Sequence, residues 1–299
     1  MKYARHTVAF MDLVRCGLFL GNKSFKPVRK YHDTLTYAWE IRPGRMNTTF
    51  TDQPYLLPFL VPGSNRAVVV IPGGAFAARM DVAEGINIAK KLNADGISAF
   101  VLYYRLNPYK FPVPFLDMQC AIRYLRYHAA ELGLHPDKIG ALGFSAGGYL
   151  AESAAIVVRG QAVEYPGYVP DEIDGVDDSL AFVGLIYTPV DFQYSPCGLF
   201  GMYPLEQVMD DAIRPKLIEK ARLTNYLTAD APPHFVCYGS KDDLARPECM
   251  EPFLQALEKY HIPRQVVVME GASHGFAGSK EYASWYDNFI SWAQKILSR

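Results

Sequence analysis

Apolar runs separated by amphipathic stretches recur along most of this chain. Runs rich in β-branched and aromatic residues predict buried strands at residues 67–71, 99–103, 139–144, 182–187, 233–239 and 265–269. Between them, apolar positions repeated every three to four residues predict helices at 81–93, 115–132, 149–158, 206–221, 248–260 and 281–297. This alternation predicts an α/β fold, with a mostly parallel, twisted sheet flanked by helices on both faces.

The first 65 residues have a weaker pattern. Residues 7–19 predict an amphipathic helix that lies on the domain or at a subunit contact, while 34–41 and 56–61 predict two early strands. Asp12 and Arg15 interrupt the apolar run that an export signal would need, although such a signal remains the alternative interpretation. No apolar run reaches the length that spans a membrane.

Two connections are longer than the usual link between a strand and a helix. Residues 160–179 carry six acidic side chains, and we expect a solvated surface loop there rather than a metal site. Residues 189–232 combine a stretch rich in Gly, Tyr and Met with the helix predicted at 206–221. We expect this second segment to form a cap above the carboxyl ends of the strands.

Composition narrows the class of protein. Half of the 299 residues are hydrophobic, which suffices for one large core in a single domain over 1–299. The formal net charge is −1 without a long run of Lys or Arg, so nothing favours a nucleic-acid or anionic-membrane partner. The five cysteines form no C-x-x-C pair, which argues against a thiolate metal site. An odd number of thiols favours a reducing, cytoplasmic location.

One motif indicates chemistry. Gly143-Phe144-Ser145-Ala146-Gly147 lies between a predicted strand and a predicted helix, the context in which G-x-S-x-G forms a nucleophile elbow. We expect a strained backbone that lifts the Ser145 hydroxyl away from the sheet. Gly143 and Gly147 fit because a Cβ at either place would collide with neighbouring chain. The amide of Ala146, at the helix start, would face a developing oxyanion.

A serine hydrolase of this kind needs an acid and then a histidine later in the chain. Asp242 and Asp243 both follow one predicted strand, and His274 lies in a glycine-flanked loop after the next strand. Upstream, Pro72-Gly73-Gly74-Ala75-Phe76 follows another strand, where paired glycines let backbone amides approach a ligand closely. These groups predict acyl transfer by Ser145, with His274 as the general base.

The motifs resemble the α/β-hydrolase superfamily, and more closely its bacterial esterase branch of acetyl xylan esterase-like and hormone-sensitive-lipase-like enzymes. The resemblance runs from about Ala67 onward and includes the elbow and the loop at 72–76. Its further motifs are Tyr104-Arg105, Pro112-Val-Pro-Phe-Leu-Asp117, Ala121-Ile-Arg-Tyr-Leu-Arg126, His135-Pro-Asp-Lys-Ile139, Pro232-Pro233, Asp243-Leu-Ala-Arg-Pro247 and Ser273-His-Gly-Phe276.

The resemblance implies roles for individual residues. In the branch the acid stands four residues before a proline that matches Pro247, which favours Asp243 over Asp242 as the triad acid. The superfamily's oxyanion loop usually reads His-Gly-Gly-Gly, and here it begins with proline and has alanine as its fourth residue. The backbone amides of Gly74 and Ala75 remain the expected oxyanion donors.

Four other residues have expected roles. The branch motifs suggest that Arg105 braces loops and that Asp117 caps its helix. Phe76 and Tyr149 are candidates for the substrate pocket, although core packing explains either ring equally well.

Together the motifs predict a serine hydrolase that cleaves short-chain carboxylic esters through an acyl-enzyme. The resemblance alone makes acetylated carbohydrate the leading substrate. No cofactor or metal is implied, because serine, imidazole and backbone amides supply the chemistry. The alternatives are an amidase or peptidase of the same fold and a non-catalytic hydrolase-fold binding protein. The sequence leaves a homo-oligomer open.

Overall fold

The computed structural model describes residues 54–107, 109–163, 170–194 and 197–298. The helix expected at 7–19 and the strand expected at 34–41 lie outside these residues. Within them, seven strands form one sheet: β1 (Tyr55–Phe59), β2 (Ala67–Ile71), β3 (Ser98–Tyr103), β4 (Ile139–Phe144), β5 (Val183–Ile186), β6 (His234–Gly239) and β7 (Arg264–Met269).

The sheet is mostly parallel, as predicted. Its strand order is β1-β3-β2-β4-β5-β6-β7, with β1 antiparallel to β3 and every other pair parallel. Every residue of β2, β3, β4 and β5 is buried, which explains why these strands are continuous apolar runs rather than alternating ones. The edge strand β7 alternates between exposed and covered positions.

Helices flank the sheet in the described part of the chain. They are α1 (Asn87–Ala94), α2 (Val113–Tyr127), α3 (Ala146–Ile156), α4 (Cys197–Met202), α5 (Leu205–Met209), α6 (Arg214–Ala221), α7 (Pro247–Lys259) and α8 (Ser284–Leu297). Helix α1 contacts β3, α3 contacts β4 and β5, and α8 contacts β6 and β7. Among the described residues, no helix is both long and apolar enough to cross a membrane.

Two predicted helices are interrupted in the structure. The helix expected at 81–93 begins with a π-helical turn at Asp81–Ile86 before α1. The Asp81 carboxylate pairs with Arg79, with 3.3 Å between Oδ1 and Nε. The helix expected at 206–221 is divided into α5 and α6. Asp210 accepts the amide of Ala212 at 2.7 Å, a local bond that competes with continued helix.

Two predicted roles for acidic residues were also wrong. Asp117 does not cap α2; it lies buried inside that helix and binds Arg105, with 2.6 Å between Oδ1 and Nη2. That pair gives Arg105 the bracing role expected for it, because it ties the chain after β3 to α2. In the acidic segment, Asp178 is not solvated: it is 1% exposed and accepts the Gly160 amide at 2.8 Å.

The parallel strands bring the chemically important loops together. The chain leaves β2 at Ile71, β4 at Phe144, β5 at Ile186, β6 at Gly239 and β7 at Met269. These carboxyl ends lie side by side, so the loops that follow them meet at one edge of the sheet. This arrangement confirms the predicted α/β-hydrolase fold.

Candidate active site

Ser145 lies at the tip of a sharp turn between β4 and α3. Its backbone angles are φ 50° and ψ −121°, a strained region for a residue with a Cβ. A Cβ at Gly143 would lie 2.4 Å from the Gly147 carbonyl oxygen, and one at Gly147 would lie 2.1 Å from the Ile71 carbonyl oxygen. Only glycine fits at both places, so the predicted elbow is confirmed, with Ser145 half-buried.

Three side chains form a hydrogen-bonded relay across this edge. The Nε2 of His274 lies 2.8 Å from the Oγ of Ser145. On the other side of the ring, Nδ1 lies 2.9 Å from Oδ2 and 3.0 Å from Oδ1 of Asp242. An ionised carboxylate only accepts, so Nδ1 carries the proton and Nε2 is free to accept the serine proton. This is the tautomer that a general base requires.

The acid in this relay is Asp242, so the preference for Asp243 is corrected. Asp242 is 2% exposed, and its Oδ1 accepts the amides of Leu244 and Ala245, each at 2.8 Å. Those two bonds turn the carboxylate inward toward His274, whereas Asp243 is exposed to solvent. The four-residue spacing to Pro247 indicated the wrong acid, because the tight turn after β6, and not the start of α7, sets the direction of the Asp242 side chain.

The loop after β2 has an unusual backbone. Gly74, Ala75 and Phe76 all have positive φ, at 131°, 53° and 59°. A Cβ on Gly74 would lie 2.2 Å from the Ala78 carbonyl oxygen, so this position requires glycine. Among the described residues, the amides of Gly74, Ala75 and Ala146 meet no protein acceptor. They remain the predicted oxyanion donors.

A small apolar pocket adjoins Ser145. Its volume is about 50 Å³. It is lined by Ala75, Phe76, Ser145, Ala146, Pro189, Phe192, Gly198, Leu244 and His274. Pro189, Phe192 and Gly198 come from the segment at 189–232, which therefore contributes to the wall beside the serine, as expected of a cap.

A second, larger cavity of about 350 Å³ also borders Ser145 and His274. Met80, Glu84, Tyr187 and Leu244 contribute side chains to it, next to Gly275. Two spaces of unequal size thus meet at Ser145.

The two expected pocket residues have different places. Phe76 lines the small pocket. Tyr149 borders neither cavity: it is 4% exposed, and its hydroxyl donates to the Ala221 carbonyl at 2.9 Å. Its ring packs behind those of Phe76 and Phe192, at centroid distances of 6.4 and 5.2 Å. Tyr149 is therefore a supporting residue, and its assignment to the pocket is corrected.

No metal-binding cluster accompanies the relay in the part of the chain that the structure describes. Groups of three or more His, Cys, Asp or Glu side chains able to hold a metal ion do not occur there. The chemistry that the arrangement offers is nucleophilic attack by an activated hydroxyl.

Comparison with known families agrees with this geometry. Residues 57–257, more than half of the chain, match the sequence model of the family described as BD-FAE. The chain belongs to the BD-FAE family. The matched region begins in β1 and ends in α7, so it contains Ser145 and Asp242 but stops before His274.

Several proteins are similar to this BD-FAE member. An acetylxylan esterase of Xylanibacter ruminicola is 36% identical over 88 residues, 29% of this chain and 18% of the relative. Esterase LipC of Mycobacterium tuberculosis is 28% identical over 217 residues, 70% of this chain and 52% of the relative. The chain thus spans about half or less of these relatives.

A solved structure extends the similarity to the fold. The acetyl ester-xyloside bifunctional hydrolase of Caldicellulosiruptor lactoaceticus superposes with a TM-score of 0.71 at 28% identity. The match covers 82% of this chain and 88% of the other.

Sequence reasoning missed several residues of the site. Glu84, Tyr187, Phe192 and Leu244 all line the cavities at Ser145. The first three lie outside the motifs, and Leu244 lies in the motif at 243–247 but was given no role. The one signal available for Tyr187 was its place at the carboxyl end of a predicted parallel strand, where site residues concentrate. Glu84 gave none, because an acidic residue in an amphipathic helix ordinarily faces solvent.

Proposed function

We propose that this chain is a serine esterase that removes short acyl groups through a covalent acyl-enzyme. The observation that carries the proposal is the relay itself: Ser145 Oγ lies 2.8 Å from His274 Nε2, and Asp242 holds the opposite ring nitrogen. Family membership and the strained elbow support the same chemistry.

The geometry supports a two-stage reaction. His274 Nε2 accepts the Ser145 proton as Oγ attacks the ester carbonyl, and Asp242 stabilises the imidazolium that forms. The oxyanion would be bound by the amides of Gly74, Ala75 and Ala146. The imidazolium then gives its proton to the departing alcohol, which leaves an acyl group on Ser145. A water molecule activated by the same histidine releases the acid.

The unequal cavities favour an assignment for the two halves of the ester. A pocket of about 50 Å³ suits an acetyl or propionyl group, because packed aromatic walls do not yield cheaply to longer chains. Phe76 and Phe192 form much of that wall. The cavity of about 350 Å³ has room for the larger alcohol.

Acetylated carbohydrate is the finer proposal for the substrate. Its support comes from the similar acetylxylan esterase of Xylanibacter ruminicola and the similar acetyl ester-xyloside hydrolase of Caldicellulosiruptor lactoaceticus. Release of acetate from acetylated xylan and from simple sugar acetates tests it. Activity on aryl acetates without activity on these sugars would support the esterase proposal and rule out acetylated carbohydrate as the substrate.

A series of esters from acetyl to octanoyl tests the small acyl pocket. We expect kcat/KM to be highest for acetyl and propionyl and to fall steeply beyond butyryl. Phe192→Ala should raise the ratio of hexanoyl to acetyl kcat/KM at least about tenfold, because it opens the wall beside Ser145.

The matched control for that variant is Phe200→Ala. Phe200 belongs to the same segment but is exposed and lies outside the pocket lining. The acyl assignment is wrong if kcat/KM of the wild type climbs through octanoyl, or if both variants change chain-length preference equally.

A further inference from the structure

Glu84 is a buried carboxylate at the edge of the site that the proposed reaction does not use. It is 8% exposed and lies in the π-helical turn at Asp81–Ile86. Its Oε2 accepts the amide of Gly73 at 2.7 Å, and its Oε1 accepts the hydroxyl of Tyr187 at 2.8 Å. Donors from two different loops therefore meet on one side chain.

The backbone around Glu84 is built for close approach. A Cβ on the next residue, Gly85, would lie 3.0 Å from Cγ1 of Val101 and 3.2 Å from Cγ of Pro72. Glycine thus lets the turn lie against β3 and against the start of the loop after β2. A π-helical turn adds one residue to the helical register and is frequent at functional sites. Together these features bring the Glu84 carboxylate to the Gly73 amide.

The bond to Gly73 bears on the expected oxyanion donors. Gly73 comes directly before Gly74 and Ala75, which line the same cavity as Ser145, and Glu84 accepts the Gly73 amide. The amides of Gly74 and Ala75 stay available for a ligand. Because Ala75 has a positive φ, the loop conformation persists only where its surroundings fix it. Without the carboxylate, the Gly73 amide would lose its acceptor, while the same peptide would keep the bond from the Tyr104 hydroxyl to the Pro72 carbonyl at 2.9 Å.

The bond to Tyr187 bears on the general base. Tyr187 follows β5 with φ 39°, and its ring centroid lies 5.1 Å from that of His274 and 4.9 Å from that of Phe276. The hydroxyl bond to Glu84 therefore fixes the aromatic surface on which the imidazole rests. Glu84 connects the oxyanion loop with the support of the histidine.

The surroundings of Glu84 disfavour its charge. Burial raises the pKa of this carboxyl above its usual value, although the Tyr187 hydroxyl, the Gly73 amide and nearby His274 each lower it. A folded pKa above the unfolded one means that folding favours the protonated form, so the stabilisation is lost as pH rises through the raised value. At neutral pH a neutral side chain of the same shape should therefore be tolerated by the fold.

We infer that Glu84 is a positioning residue for the reaction at Ser145: it sets the oxyanion loop through Gly73 and supports His274 through Tyr187. The inference rests on the proposed esterase function, because it assigns a role within that same site.

The first test is Glu84→Gln, which keeps the shape but has one accepting oxygen for two donors. With that oxygen on the Gly73 amide, the new NH₂ group must donate to the Tyr187 hydroxyl oxygen, so one charge-assisted bond is weakened and the other is reversed. We expect kcat for a short-chain acetate to fall about 10-fold to 100-fold, the usual cost of a slightly misplaced site. KM should stay within about threefold and the melting temperature should not fall. Tyr187→Phe keeps the ring against His274 but removes the hydroxyl, so it should lower kcat by a smaller factor.

The matched control is Asp178→Asn. Asp178 is another buried carboxylate that accepts a backbone amide, but it lies outside both cavities at Ser145. Its variant should lower the melting temperature and leave the kcat of the folded protein within about twofold. This is the opposite pattern to the one expected for Glu84→Gln.

The double variant Glu84→Gln with Tyr187→Phe tests the connection. If the two substitutions act through the same Glu84–Tyr187 bond, the double variant should lose no more kcat than Glu84→Gln alone, within about twofold. Fully multiplied losses would overturn the inference, as would a Glu84→Gln kcat within threefold of wild type. If Glu84→Gln does not fold, a Tyr187→Phe kcat equal to that of wild type overturns it.

Failure of the proposed function gives a different result. Wild-type protein that neither hydrolyses esters nor reacts with a serine-directed phosphonate contradicts the esterase proposal. Active wild type with an equally active Glu84→Gln contradicts only the role of Glu84.

Discussion

Asp242→Asn replaces the acid of the relay with a side chain of the same shape. In the structure, Oδ1 of Asp242 accepts the amides of Leu244 and Ala245 at 2.8 Å, and Oδ2 lies 2.9 Å from Nδ1 of His274. Those two amides need an acceptor, so the one oxygen of the introduced carboxamide should stay with them. Its NH₂ group then faces the histidine.

That orientation determines the size of the effect. An NH₂ group donates, so Nδ1 of His274 must lose its proton to accept it, and Nε2 becomes the protonated nitrogen. A protonated Nε2 cannot take the proton of Ser145. The loss expected for a triad in the wrong tautomer is about 10⁴ in kcat, or roughly 5 kcal/mol of transition-state stabilisation.

The assay is the initial rate of hydrolysis of a chromogenic acetate at pH 7.5, with thermal melting as a check on folding. Asp243→Asn is the matched control, because its carboxylate is exposed and one residue away. We expect that variant to keep kcat within about twofold. A larger loss from Asp243→Asn, or an Asp242→Asn kcat within tenfold of wild type, would refute the tautomer argument.

Two further predictions concern the packing around the site. Gly147→Ala places a Cβ 2.1 Å from the Ile71 carbonyl oxygen and should lower the free energy of unfolding, measured by urea melts, by about 2–3 kcal/mol or more. Gly175→Ala is the control and should not lower it, because the added Cβ meets only ordinary contacts. Equal urea midpoints for the two variants would contradict the packing account. Burial raises the pKa of the Cys237 thiol to about 12. Iodoacetamide at pH 8 should therefore modify this thiol only in denaturant. Rapid modification of Cys237 in the native protein would disprove its burial.

Much of the fold could be predicted because its signals are local. The buried strands are continuous apolar runs, and β2 and β4 have the predicted bounds. The elbow could be predicted because G-x-S-x-G is a short local motif. Its first glycine, Gly143, is needed by contacts within the strand–turn–helix unit, whereas Gly147 is needed against Ile71 of the neighbouring strand β2. The prediction of one continuous helix at 206–221 was wrong because the Asp210 side chain binds a backbone amide and interrupts the helix. The spacing of apolar residues does not reveal such a bond.

The errors in the site have a common physical cause: they depend on where one side chain points after the chain has folded. Asp242 and Asp243 are adjacent and chemically identical. Two backbone amides in a tight turn bind the Asp242 carboxylate, and this contact makes Asp242 the acid that faces His274. Glu84 lies in an ordinary amphipathic pattern, and only the π-helical turn and its glycine neighbour bury it. Tyr149 was close to the pocket in sequence but lies behind its wall.

The central claim is that Ser145 is a nucleophile activated by His274. Reaction with a serine-directed fluorophosphonate, followed by intact-protein and peptide mass spectrometry, tests it most directly. We predict the addition of one phosphonyl group on the peptide that contains Ser145, complete loss of ester hydrolysis in step with labelling, and no adduct on Ser145→Ala. An adduct on another serine, or hydrolysis that survives full labelling of Ser145, would contradict the account.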